Sequence, residues 1–171
     1  MCQIRARQAV RRGPRDRAKK AWNGAATAVK LLNMQPPVTG ILETALYVVS
    51  VERSVEFYEK VFGFEILTRG ERICAMSVAG RGVLLIFKIG GSVTATRFDG
   101  GVIPPTDGDG DLHLTFSIER GALDKWTAWL ADNNVAIEST VTWARGGVSV
   151  YFRDPDNHLL ELATPGVWAI Y

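Results

Sequence analysis

The sequence predicts an α+β fold built from two β-α-β-β-β modules that form a curled, cup-like mixed sheet. Three observations support this prediction. Residues 41–89 show the pattern of a strand, an amphipathic helix and three strands, and the same order recurs in residues 112–164. The two segments also overlay with an offset of roughly 70 residues, as expected for a duplicated unit. Each module has one apolar sheet face to bury, so the two must pack together or exchange between chains.

The first module is predicted at residues 40–89. "ILETALYVV" is rich in β-formers and predicts its first strand. An apolar stripe at helical spacing marks the helix that follows: Val51, Val55, Tyr58 and Phe62. Ser50 suits the N-cap of this helix and Gly63 its C-terminal end. The strands "FEILT", "ICAMSVA" and "VLLIFKI" complete the module, with a hairpin turn at residues 80–82.

The second module is predicted at residues 112–166, with the helix "GALDKWTAWLADNN" and the strands "LHLTFSI", "VAIEST", "VSVYFRD" and "HLLELAT". Residues 90–111 join the modules and exceed the usual connection of about 4–6 residues. Their "DGDGD" opens like an EF-hand calcium loop, but Leu112 and Ile118 stand where that loop needs glycine and glutamate. We therefore expect a solvated, flexible linker, and a short C-terminal tail at residues 167–171.

Charge is unevenly distributed along the chain. Residues 1–33 carry nine basic residues against one acidic residue, a net charge of +8, whereas residues 34–171 carry 11 against 17, a net charge of −6. We expect a basic, disordered leader at residues 1–36, or a translation start placed too early. The acidic remainder argues against a nucleic-acid partner. No apolar run reaches the roughly 20 residues of a membrane span, and two cysteines do not make a disulfide framework, so a cytoplasmic location is expected.

The stretch "DPDNHLLELATPG" contains two candidate metal ligands, His158 and Glu161. In a strand, residues three apart point to opposite faces, so the two side chains cannot both line one cavity. His158 directly follows the turn, where exposure costs little, and it is expected to be an exposed turn-edge residue rather than a ligand. Glu161 remains as the candidate.

Two further candidates open the first strand of each module. The overlay places Glu43 and His113 at equivalent positions, both facing inward with Glu161. A divalent cation would join two carboxylates and a neutral imidazole that otherwise lack a reason to be buried together. Alternatively, hydrogen bonds in a polar cleft satisfy each side chain. The first-module counterpart of Glu161 falls on Ile86 or Phe87, so at most three protein ligands are available, which is typical of catalytic sites.

These residues resemble the vicinal oxygen chelate superfamily, which includes glyoxalases, bleomycin-resistance proteins, fosfomycin-modifying enzymes and extradiol dioxygenases. The resemblance rests on "LYVVSVERSVEFYEKVFGFE", "HLTFSI" and "VYFRDPDNHLLELATP" and covers roughly residues 40–166. It implies a metal-holding cup with Glu43, His113 and Glu161 as ligands. Glutamate replaces the usual histidine or glutamine at position 43, which makes the ligand set harder and disfavours an extradiol dioxygenase. Mn²⁺, Fe²⁺, Ni²⁺, Mg²⁺ or Zn²⁺ are the expected metals.

The subfamilies differ at a few positions. Fosfomycin-modifying enzymes carry a threonine two residues after the first ligand and basic residues after the last one, whereas this chain has Ala45 and a C-terminal "LATPGVWAIY". Typical glyoxalase I enzymes keep four protein ligands. The resemblance therefore implies either a metal-dependent lyase, isomerase or dioxygenase, or a metal-free bleomycin-resistance type of binding dimer.

For an enzyme, the substrate's adjacent oxygens would chelate the metal, which acts as a Lewis acid on an oxyanion. Glu43 or Glu161 could then serve as the catalytic base. The expected substrate-binding residues are Tyr151, Arg145 and Trp143, with Arg145 pairing a substrate anion. The resemblance also implies a homodimer, whose interface the tail residues Trp168 and Tyr171 could cover.

Overall fold

The structure of the chain, a computed structural model, describes residues 35–171. The predicted leader at residues 1–36 therefore lies almost entirely outside the described residues. Both predicted modules belong to one unit, Ile41–Tyr171. Within the described part of the chain, no helix has the length and apolar character needed to cross a bilayer.

The first module contains β1 (Glu43–Val48), α1 (Val51–Phe62), β2 (Glu65–Arg69), β3 (Ile73–Val78) and β4 (Gly82–Lys88). Both predicted ends of α1 are confirmed. The Ser50 hydroxyl oxygen accepts a hydrogen bond from the Arg53 N–H at 3.3 Å, and Gly63 ends the helix with a left-handed φ of 67°. The sheet order is β1-β4-β3-β2, with β1 parallel to β4 and the other pairs antiparallel.

The second module repeats this order with β7 (His113–Ser117), a 3-10 turn (Arg120–Ala122), α2 (Leu123–Asp132), β8 (Ile137–Thr142), β9 (Val148–Arg153) and β10 (Leu159–Ala163). Its sheet order, β7-β10-β9-β8, matches that of the first module. The predicted α+β fold with two β-α-β-β-β modules is confirmed. The linker differs from the expected flexible segment, because it contains a hairpin of β5 (Thr96–Phe98) and β6 (Gly101–Ile103).

One face of each four-stranded sheet contributes to a common core. On this helix-covered face lie the buried side chains Leu46, Val48, Cys74, Met76, Leu84 and Ile86 of the first sheet and Val150, Phe152, Leu160 and Leu162 of the second. Helix α1 bridges the two sheets, and the Phe62 ring lies 4.7 Å from Phe116 and 6.3 Å from Phe152 between centroids. The opposite faces, called the open faces below, are not covered by either helix.

A polar cluster in the β9–β10 turn, Asp154, Asp156 and His158, fastens the second module to the first; we call it the turn latch. Asp154 accepts a hydrogen bond from the buried Tyr58 hydroxyl at 2.9 Å. Asp156 accepts from the Val49 N–H at 2.7 Å and from the Ser54 hydroxyl at 2.8 Å. These bonds explain why α1 packs on both sheets in one orientation.

The two latch carboxylates have opposite pKa shifts. Burial raises the pKa of Asp154 above its usual range despite several hydrogen bonds. Burial also acts to raise the pKa of Asp156, but hydrogen bonds from Val49, Ser54 and Arg53 outweigh it and lower that pKa. Ionised Asp156 therefore stabilises the fold at neutral pH, and this stabilisation is lost as the pH falls through the lowered pKa.

His158 corrects one sequence prediction, because it is 1% exposed rather than an exposed turn-edge residue. The Leu112 N–H donates to its Nδ1 at 3.1 Å, so its Nε2 carries the proton and donates to the Tyr47 carbonyl at 3.0 Å. Both ring nitrogens are thus occupied by backbone groups from different modules. His158 joins the modules and has no lone pair left for a metal.

Candidate metal centre

The open face of the second sheet brings two predicted ligands together. The strand register places His113 opposite Leu159 and Thr115 opposite Glu161, and Glu161 is in turn opposite Tyr151 on β9. Residues paired in register project to the same side of a sheet. The His113 Nε2 lies 3.2 Å from the Glu161 Oε2, so the two side chains meet at the start of β7.

The hydrogen bonds of His113 determine its tautomer. Its Nδ1 lies 3.0 Å from the Leu159 carbonyl oxygen, which can only accept, so Nδ1 carries the proton. In the neutral ring the Nε2 lone pair then faces the Glu161 carboxylate and, at 3.2 Å, the Thr115 hydroxyl. A lone pair beside a carboxylate is unfavourable unless a proton or a cation lies between them. A backbone carbonyl that orients the far nitrogen of an imidazole is also the usual support of a histidine ligand.

Glu161 is buried, with a side chain only 7% exposed, whereas the His113 side chain is 49% exposed. The Thr115 hydroxyl donates to the Glu161 Oε2 at 2.9 Å. The Glu161 Oε1 is buried and has no hydrogen-bond partner. A buried carboxylate oxygen without a partner costs about 1–3 kcal/mol, so this atom is suited to a ligand that arrives from outside the chain. The donor set present therefore fits a divalent cation.

Glu43 does not join this pair within one chain. It starts β1 on the open face of the first sheet and is exposed. Among residues 35–171, no group of three histidine, cysteine, aspartate or glutamate side chains is placed to hold a metal ion. His113 and Glu161 therefore form two thirds of the predicted ligand set.

The register corrects the first-module counterpart of Glu161. Glu43 is opposite Val83, as His113 is opposite Leu159, so the offset between modules is 70 residues at the first strand and 76 at the last. The counterpart of Glu161 is then Leu85, rather than Ile86 or Phe87. Leu85 is also apolar, so the first module still offers no fourth ligand.

The predicted substrate-binding residues separate into two groups. Tyr151 shares the open face with Glu161, and burial together with the nearby Glu161 charge raises the pKa of its hydroxyl, although a hydrogen bond with Ser149 lowers it. The Trp143 indole N–H donates to the Ser149 hydroxyl at 2.9 Å at the edge of the same face. Arg145, by contrast, lies exposed in the turn between β8 and β9.

Thr115 and Arg153 are open-face residues that the sequence prediction missed. Thr115 bonds to Glu161 as described. Arg153 on β9 lies opposite Leu159 on β10, and Glu138 and the Asn157 carbonyl orient its guanidinium. Strand alternation could have found both, because Thr115 is two residues from His113 and Arg153 is two residues from Tyr151.

The C-terminal tail contacts the second module in its own chain. The Tyr171 hydroxyl donates to the Ile118 carbonyl at 2.8 Å or the Ala163 carbonyl at 3.0 Å, and the Gly166 N–H donates to the Tyr171 carbonyl at 2.7 Å. Trp168 is exposed. The Tyr171 side chain is thus bonded within its own chain. Of the two tail residues expected at an interface, Trp168 is the more exposed.

Comparisons with known proteins place this geometry in context. The family model described as Glyoxalase/Bleomycin resistance protein/Dioxygenase superfamily matches residues 40–162. Metallothiol transferase FosB from Shouchella clausii is 30% identical over 129 residues, which are 74% of this chain and 81% of that protein. FosB from Staphylococcus saprophyticus is 29% identical over 115 residues, 67% of this chain and 69% of that protein.

Solved structures show the same fold. Lactoylglutathione lyase from Agrobacterium tumefaciens has a TM-score of 0.71 and 28% identity, covering 78% of this chain and 99% of that one. The fosfomycin resistance protein FosX from Mesorhizobium loti has a TM-score of 0.53 and 22% identity, covering 77% and 96%. The FosX likeness concerns the fold alone.

Proposed function

Because the chain belongs to the Glyoxalase/Bleomycin resistance protein/Dioxygenase superfamily, we propose that it is a divalent-metal-dependent enzyme acting on a small oxygenated substrate. His113 and Glu161 of one copy and Glu43 of a second copy would hold the metal. The observation that carries this proposal is the His113 tautomer, whose Nε2 lone pair faces a buried carboxylate at 3.2 Å. A cation between these atoms would turn an unfavourable contact into two bonds.

The positions of the two open faces support a dimer. Both helix-covered faces meet in the core of one chain, so neither open face covers the other. The exposed Glu43 is on one open face and the His113–Glu161 pair is on the other. A second copy that places its first module over the second module of its partner would complete the ligand set and bury both faces.

The ligand set of one imidazole and two carboxylates suits Mn²⁺, Fe²⁺, Ni²⁺, Mg²⁺ or Zn²⁺. When bound, such a metal supplies Lewis-acid stabilisation of developing negative charge on a chelating substrate. Thr115 holds the Glu161 carboxylate in position, and the Leu159 carbonyl holds the His113 ring. Glu43 or Glu161, if released from the metal, could accept a substrate proton, and Tyr151, opposite Glu161 in the strand register, would orient a substrate oxygen.

The reaction type is open among those of the relatives. The name metallothiol transferase, carried by the FosB relatives, favours transfer of a thiol to the substrate. Lactoylglutathione lyase favours lyase chemistry instead. Fosfomycin as the substrate is disfavoured by Ala45 and by the absence of Lys and Arg after Glu161. A cytoplasmic location is part of the proposal.

A second candidate is a metal-free, bleomycin-resistance type of binding dimer. Two contacts of Glu161 favour this candidate. The Thr115 hydroxyl donates a hydrogen bond to its Oε2, and a protonated His113 would donate to the same oxygen without a metal. In that function the two open faces would enclose a ligand without a metal. Both candidates use the same dimer and differ in metal affinity.

Titration calorimetry of chelator-treated wild type with each of the five metals separates the candidates. The enzyme proposal predicts saturable binding of one metal per chain, with a dimer in sedimentation at micromolar concentration. Negligible binding of all five metals by a correctly folded dimer would contradict the enzyme proposal and support the binding dimer.

A further inference from the structure

The two ends of the linker that carries the hairpin are bonded to each other, and one end is also bonded to β1. The Asp107 carboxylate accepts hydrogen bonds from the Gly90 N–H at 2.9 Å and from the Ser92 N–H and hydroxyl at 3.1 and 3.0 Å. Desolvation acts to raise the pKa of Asp107, but these bonds outweigh it and lower that pKa. The Tyr47 hydroxyl also bonds to the Thr106 carbonyl. The base of the hairpin is therefore anchored beside β1.

A cavity of about 360 Å³ lies between this hairpin and the first sheet; we call it the hairpin pocket. Its apolar walls are Ile73 and Phe87 of the sheet and Phe98, Ile103 and Pro104 of the linker. Threonine hydroxyls, Ser92 and the oppositely charged neighbours Glu71 and Arg72 add polar groups to its lining. This volume and this mixture of an apolar lining with a few polar groups are typical of small-molecule sites.

The hairpin pocket lies at one end of the open face that carries Glu43. Phe87 is opposite both Ile73 and Tyr47, and the Tyr47 and Phe87 rings stack at 5.6 Å. Glu43 is four residues before Tyr47 on β1, a distance of about 13 Å along a strand. The copy that offers Glu43 to a shared metal site would therefore offer its hairpin pocket to the same site.

We propose that the hairpin pocket binds an uncharged aromatic or branched apolar group of the substrate. This inference rests on the proposed function for its link to the metal, but the pocket itself does not need a metal. The substrate class is then an elongated molecule with chelating oxygens at one end and an apolar group roughly 13 Å away, set by the strand rise. The exposed Ile103 side chain of β6 has a role under this proposal.

Two neighbouring residues of β6 give a matched test. Ile103 lines the pocket and Val102 does not, yet both are 52% exposed, so either should tolerate replacement by glutamate. The probe is 2-phenylethanol, titrated in EDTA into ¹⁵N-labelled full-length protein and followed by the amide signals of Gly91, Thr94 and Thr96. We expect saturable shifts in wild type, about tenfold weaker binding in Ile103→Glu because a carboxylate resists an apolar surrounding, and a change below about twofold in Val102→Glu.

The proposal that the hairpin pocket binds an apolar group would be overturned if wild type shows no saturable shifts, or if both substitutions weaken binding equally. A second titration tests the link between the hairpin pocket and the metal site. It uses phenylalkyl hydroxamates of increasing length and Mn²⁺-loaded protein. Affinity should rise only for spacers that reach the pocket, and Ile103→Glu should abolish that rise. If acetohydroxamate fails to bind and the phenylalkyl hydroxamates bind no more tightly than 2-phenylethanol, the metal proposal and its link to the pocket are refuted and the pocket is supported.

Discussion

Replacing Glu161 with alanine is expected to weaken Mn²⁺ binding by at least about 100-fold, because loss of a direct ligand costs more than loss of a supporting partner, which costs about 10–100-fold. The same substitution should leave the free energy of unfolding unchanged or raise it by up to about 1 kcal/mol, since it removes a buried carboxylate oxygen that has no partner. Titration calorimetry and urea unfolding of the metal-free protein measure the two quantities.

Glu138→Gln is the matched control for Glu161→Ala. Glu138 lies on β8 of the same sheet and pairs with Arg153 at 3.2 Å, but its side chain is about half exposed. The Mn²⁺ affinity of Glu138→Gln should stay within about twofold of wild type, as expected for the loss of an exposed charge away from the ligands. If both variants bind Mn²⁺ as wild type does, Glu161 is not a ligand. If Glu161→Ala strongly destabilises the metal-free protein, its carboxylate has a structural role instead.

Replacing Asp154 with alanine is expected to lower the free energy of unfolding by about 3–5 kcal/mol, because three hydrogen-bond donors lose their acceptor at about 1–3 kcal/mol each. The carboxylate accepts hydrogen bonds from the Tyr58 hydroxyl and from the N–H groups of Asp156 and His158, each at 2.9 Å. Removing it leaves three donors without a partner, and one of them, the Tyr58 hydroxyl, belongs to the other module. Urea unfolding at neutral pH measures the loss.

Asp111→Ala is the control for the turn latch. Asp111, just before β7, accepts a hydrogen bond from the side chain of Asn157 in the β9–β10 turn. Because Asp111 is exposed, the free energy of unfolding should change by less than about 0.5 kcal/mol. A loss below about 1 kcal/mol in Asp154→Ala would show that the latch does not hold the modules together.

The elements of both modules were predictable because their signals are local. The apolar stripe of α1 and its ends at Ser50 and Gly63 depend on residues within a few positions of one another. The pairing of His113 with Glu161 was also predictable, since duplication and strand alternation together place them on one face. Both predictions use periodicity, which a single sequence displays directly.

The remaining features depend on contacts between distant residues. His158 is buried because its ring meets the Tyr47 carbonyl 111 positions away, which no local pattern indicates. The assignment of Ile86 or Phe87 failed by one or two residues because the β3–β4 and β9–β10 turns differ in length, and Leu85 is the true counterpart. The strands β5 and β6 have three residues each, too few for an alternation signal.

The central claim, a metal site shared between two copies, is tested most directly by mixing two defective variants. Glu43→Ala and Glu161→Ala should each bind negligible Mn²⁺ alone. After subunit exchange, verified by native mass spectrometry, half of the dimers combine one chain of each kind and contain one intact site. The mixture should then regain about one quarter of the wild-type sites, as a twofold-symmetric shared site requires. No regained binding in exchanged dimers, or wild-type binding by Glu43→Ala alone, would contradict the account.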